Sequence, residues 1–297
     1  MRFVLACIVL TACGGGTAQT APVELPKADA AKAYVIHLTR PSHVGDRTHV
    51  VMDQTEEKAS KITSGETVVE DKHARKVMHY DAISTVVAID DQGRMTKTRH
   101  DVKELVVDGK QLAHGVIEIT RARREKDAIV THDGAPVSED VRAALSSLLK
   151  LGVGGPSDDD VFGTKTPQAI GAHWPINAQL AHDDLKDDTG IDAANVTGET
   201  WLEGTTRVGD VDCLDVRAKM VLDGIVVPDM PQGSTIESGR ADAEMRAALP
   251  LDEHREKLVD HMSMKMSFRL HVEAPNGPPT AVLVTLAETH DAHFSPP

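Results

Sequence analysis

The string His261-Met262-Ser263-Met264-Lys265-Met266 comes closest to a chemical motif in the sequence. Thioethers at alternate positions beside an imidazole form the donor set of a soft Cu(I) site, because polarizable sulfur prefers a soft ion. The spacing argues for another role. Alternate residues of a strand share one face and sit roughly 6.6 Å apart, so three sulfurs would have to bend toward one ion. The alternation also runs on through Phe268, Leu270 and Val272, which ligate nothing. Methionine fills gaps well in a core poor in aromatic residues. The string is therefore read as a core strand with His261 on its other face, and neither a metal nor any other cofactor is expected.

Other reactive patterns fail on spacing. Fifteen histidines include no His-Glu-x-x-His, and the tight pair His290 and His293 is read as part of a C-terminal tail ending in Pro296-Pro297. The acidic run Asp183-Asp184, Asp187-Asp188 and Asp192 invites a calcium loop. Aligning Gly190 with the loop glycine of an EF-hand places Leu185 and Val196 at the first and last ligand positions, where no side-chain oxygen is available. Gly152-Val-Gly154-Gly155 follows a predicted helix instead of opening one, so it is no phosphate loop. There is no Gly-x-Ser-x-Gly, Ser-x-x-Lys or Cys–His signature. Cys213 falls on the polar side of its strand and is expected to be buried under a second sheet or a helix, and unreactive. With no catalytic residue singled out, the chain is read as a non-enzyme.

The remaining cysteines, Cys7 and Cys13, belong to the N-terminus. Arg2 precedes eight apolar residues, Phe3 to Leu10. As a helix these span roughly 12 Å against about 30 Å of bilayer hydrocarbon, so they are an export signal and not a membrane span. The tetrapeptide Leu10-Thr11-Ala12-Cys13 that follows resembles the lipobox of bacterial lipoproteins. That resemblance implies cleavage after residue 12, a diacylglycerol thioether on Cys13 and acylation of the new amine by a palmitate-type chain. At about 0.8 kcal/mol per buried methylene, such chains hold a protein firmly on a bilayer. Gly14 stands where some inner-membrane lipoproteins carry Asp, which implies the outer membrane where the host has one. Residues 13–30 are small, polar and Pro-containing, and read as a flexible tether.

Composition narrows the partners. The net charge is −14, spread along the chain, and loss of Arg2 with the signal makes the mature protein one charge more acidic. This argues against nucleic acid and against electrostatic docking on anionic lipid. One mature thiol permits no intramolecular disulfide, so the fold rests on its core. Four Phe, two Tyr and two Trp are few for stacking sites for sugars or bases.

The chain that would position such residues reads as mainly β. Period-two alternation begins at Tyr34 and returns near 47–54, 61–70, 76–90, 95–107, 115–123 and 127–131, with turn chemistry at Asp91-Gln92-Gly93, Asp108-Gly109 and Asp133-Gly134. Ser138 caps a predicted helix whose stripe is Val141, Leu145, Leu148 and Leu149, ended by Gly152. A shorter helix is expected over 178–186. Cys213 to Leu222 and His261 to Val272 alternate cleanly, and Thr280–Thr289, apolar on both faces, is expected to be a central strand covered on both sides. The prediction is a large antiparallel curved sheet or half-barrel with one or two helices. It forms a single domain over 31–294 in two halves, 31–152 and 171–294, joined by a connector at 153–170. This layout resembles the half-barrel lipid carriers of bacterial envelopes, and Gly171-Ala-His-Trp174-Pro175 resembles a Gly-x-x-Trp element of envelope lipoproteins. The resemblance implies a lipid-anchored, non-enzymatic binding or carrier module for an apolar ligand or protein partner. The alternatives are a scaffold lipoprotein without a pocket and, after it, an enzyme with dispersed residues.

Overall fold

The computed structural model describes residues 32–91, 93–121, 127–149, 151, 155–185, 190–226, 233–272 and 280–297. The signal, Cys13 and the tether lie outside the described residues. The first half contains β1 (Ala33–Ile36), β2 (Arg47–Ser64), β3 (Thr67–Ile89), β4 (Met95–Val107), β5 (Lys110–Thr120), β6 (Ile129–His132), β7 (Ala135–Pro136) and α1 (Glu139–Leu149). Then come α2 (Asp158–Phe162), β8 (Thr164–Ala169), β9 (His173–Pro175) and α3 (Ala178–Leu185). The long strands β10 (Val196–Val208), β11 (Val211–Asp223), β12 (Ser234–Pro250), β13 (Val259–Val272) and β14 (Thr280–Ser295) complete the chain.

Twelve strands form one antiparallel, curved sheet that is not closed, in the order β7-β6-β5-β4-β3-β2-β14-β13-β12-β11-β10-β9. Two of its hairpins turn where the sequence suggested. Asp108 and Gly109, and likewise Asp133 and Gly134, all have positive φ, the type I′ geometry whose twist matches paired strands. The stretch 153–170 is more than a connector, because α2 and β8 lie in it and β8 pairs with β1 in a small second sheet.

One face of the large sheet carries the helices. Ser138 Oγ accepts from the Val141 amide at 3.4 Å, and α1 lays Val141, Ala144, Leu145 and Leu148 on the inner side of β2–β6, against Met78, Tyr80, Leu105, Ile117 and Ile119. Each Val, Leu, Ile or Met side chain so removed from water contributes about 1.5–3 kcal/mol. A second cover of β1, α2 and α3 packs Ile36, Leu38, Val161 and Ala181 over β10–β12.

One row of residues across seven strands shows where the covers end. Thr200, Ala218, Met245, Met262, His290, Gln54 and Met78 are successive cross-strand partners and share the inner face. The two residues at either end of the row are buried, whereas Met245, Met262 and His290 in the middle are only partly so. The next row, Trp201, Arg217, Arg246, His261, Asp291, Asp53 and His79, points outward and is largely charged. Its groups pair with one another and with neighbours, as in His261 Nδ1 to Asp291 Oδ1 at 2.6 Å and Arg246 to Asp215 at 2.6 Å.

Two sequence expectations therefore change. β14 is central, between β2 and β13, but it is not covered on both sides, and Leu283 is exposed. The Met262–Val272 face is half-buried and not a sealed core: Met266 and Phe268 pack on the cluster shared with α2 and α3, while Met262 and Met264 face the gap between the covers.

Candidate functional site

The gap between the two covers is a cavity of about 430 Å3. Its floor is the inner face of β11–β14 and β2, and its walls are Leu148 and Leu149 of α1, Val161 and Phe162 of α2, and Leu185 of α3. The size falls within the roughly 300–1,000 Å3 of small-molecule sites, which are mostly apolar with a few placed polar groups. Met52, Met220, Met245, Met262 and Met264 supply much of the floor. Unbranched thioether side chains re-pack around ligands of irregular shape. At the rim, Lys257 is held by Asp260 at 2.6 Å and Asp158 at 3.9 Å. Elsewhere on the inner face, Gln54 Nε2 donates to Ser147 of α1 and to Glu288 of β14, both at 2.7 Å, tying helix to sheet.

A second cavity of about 390 Å3 adjoins the first, and Met52, Leu149 and Phe294 line both. Its walls are more polar and include Thr48, His100, Arg121, Arg255 and Glu256. Tyr80 Oη and His100 Nδ1 are 2.9 Å apart, and His100 Nε2 lies 3.0 Å from Thr98 Oγ1. Burial, together with the charge of Arg121, pushes the imidazole down to about 4, so it is neutral at neutral pH. Burial also raises the Glu256 carboxyl and lowers the Arg121 guanidinium.

The residues singled out from sequence are distributed as follows. Met262 and Met264 face the apolar cavity, while Met266 packs further along β13 toward α2 and α3. His261 points to the opposite face, as its parity required. His290 and His293 belong to β14 and not to a tail. Being three apart, they take opposite faces, His290 toward the cavity. Among the described residues no three His, Cys, Asp or Glu side chains gather to hold a metal. Cys213 is buried, with its thiol pKa raised, but the cover is Leu258 and its loop and neither a sheet nor a helix. Sequence reasoning missed His100, Arg121 and Glu256. A signal existed for His100: it shares parity with Val102 and so falls on the apolar face of β4.

No protein-family model and no curated protein matches the sequence. Among solved structures, the chain is compared with the outer membrane protein OprG from Pseudomonas aeruginosa at 7% identity and a TM-score of 0.16, covering 85% of this chain and 97% of that one. An outer membrane channel from Pseudomonas putida F1 gives 8% identity and 0.19, covering 86% and 97%. OpdQ of Pseudomonas aeruginosa gives 5% and 0.20, covering 84% and 98%. Scores this low carry no structural equivalence.

Proposed function

We propose that this protein is a non-enzymatic, lipid-anchored binding or carrier module of the bacterial envelope, holding an apolar ligand in the cavity between its two helical covers. The observation that carries this reading is the cavity of about 430 Å3 floored by methionines, on the inner face of the sheet between the two helical covers. A scaffold without a ligand has no need of that gap, since closing it would bury more apolar surface. The polar outer face, rich in ion pairs, supports a body that stands in water beside a membrane. Anchoring through Cys13 rests on the lipobox and would keep the body near its ligand's source.

Native mass spectrometry of gently purified protein tests the reading. The expected spectrum carries adducts of lipid size, and the protein binds the neutral apolar probe N-phenylnaphthylamine. Ala243, the cross-strand partner of Met264 on the cavity floor, is the position to fill: Ala243→Trp should abolish both signals with the circular dichroism unchanged. A native protein that shows no adduct and takes up no probe returns the reading to a scaffold.

A further inference from the structure

The two adjoining cavities differ in kind, and the difference points to the shape of the ligand. On the methionine side the wall is largely apolar. On the other side Arg47, Arg121 and Arg255 face Asp46 and Glu256. Asp46 is engaged locally, accepting from the His43 amide at 2.7 Å. Glu256 is held by burial toward its neutral form. Among the described residues no carboxylate lies within ion-pair distance of Arg121, and burial alone, with no offsetting charge, acts on its guanidinium. In a chain of net charge −14, a partly buried cation with no counter-ion among the described residues is conspicuous, because a desolvated charge is ordinarily paired. His100 beside it is neutral and supplies no negative charge.

We propose that the joined cavities take one amphiphile with a long apolar chain and a compact anionic head group, the chain against Met52, Met262 and Met264 and the head group on Arg121. This rests on the carrier reading and deepens it. A planar guanidinium presents paired donors that match a carboxylate or a phosphate, and such charge-assisted bonds are the strong ones. Met52, Leu149 and Phe294 lie at the junction, where the first carbons of the chain would pass between them.

The test measures displacement of N-phenylnaphthylamine from the full folded protein by hexadecanoate, hexadecyl phosphate and hexadecanol, which share a chain and differ in head group. Native protein should prefer at least one anion over the alcohol by about ten- to a hundredfold, and the tighter anion names the head group. Arg121→Gln should erase that preference, weakening the anions by most of that factor and the alcohol much less. Arg121→Lys, which keeps the charge but loses the fork, should retain part of it and serves if the Gln variant folds poorly. Equal binding of alcohol and anions by the native protein, or a preference that survives Arg121→Gln, overturns the head-group assignment and leaves the carrier reading standing. Failure of all three ligands to bind native protein overturns both.

Discussion

Burying an imidazole makes a folded protein sensitive to acid, and His100 is placed to do this. Its folded pKa is about 4, against about 6.5 in an unfolded chain. Above about 6.5 both states are neutral. As pH falls toward 4 the unfolded state takes up the proton first, so stability is lost across that window, on the order of 3 kcal/mol for this group. Denaturant unfolding between about pH 7 and 4 should fall more steeply for native protein than for His100→Gln, and parallel curves would remove His100 from the account. Because Arg121 contributes to the depression, Arg121→Gln should raise the His100 pKa in an NMR titration. The methionines make a second contrast. Met78 is fully buried and Met264 only half so. Met78→Ala should therefore cost about 2–5 kcal/mol, and Met264→Ala about 1–2 kcal/mol, within the ordinary range of point changes. Met264→Leu should cost under about 1.5 kcal/mol. Equal losses for the two alanine variants would mean that the cavity is closed in solution.

At the scale of elements, legibility followed amphipathicity. α1 could be read from its cap and stripe, and β11 and β13 from strict alternation, because each has one face against protein and one toward water. The middle of β2 and the start of β3 could not. Residues 53–61 and 69–76 are mostly polar on both sides, and it is pairing with neighbouring strands that holds them extended. The length of these strands is a property of the sheet and not of local preference. α1 gives the sharpest test. Leu145 is fully buried against the first-half strands, so Leu145→Ala should destabilise by about 2–5 kcal/mol in denaturant titration. A loss below about 1 kcal/mol would mean that α1 is not docked as described.

At the scale of the whole molecule, the decisive contact is the pairing of β2 with β14, which runs from Thr280↔Ser64 to Ser295↔His49 and joins the two halves into one sheet. Such a seam predicts cooperative unfolding. Both tryptophans, Trp174 and Trp201, lie in the second half, yet Leu145→Ala in the first should shift their fluorescence transition by the same amount as the circular dichroism transition. A tryptophan transition left unmoved would show halves that unfold independently. For the proposed lipid anchor, Cys13→Ser should leave the precursor unprocessed or release the protein from the membrane fraction. Unchanged size and partition would remove the lipid anchor.

The sequence by itself determined the fold class, the main helix, the tight turns and the faces of the clean strands, because these depend on side-chain period and on backbone conformations that few residues adopt. It also determined that His261 and the methionines point opposite ways. What only the tertiary structure decided was how far each helical cover reaches. Both covers are satisfied over the flanking strands, and the middle of the sheet is left with half-buried methionines in place of a sealed core. The polar cavity was equally out of reach. His100, Arg121 and Glu256 come from separate parts of the chain and meet only when the curved sheet and the 251–258 loop close around them. No spacing along a sequence encodes an encounter of that kind, because it depends on strand register and sheet curvature together.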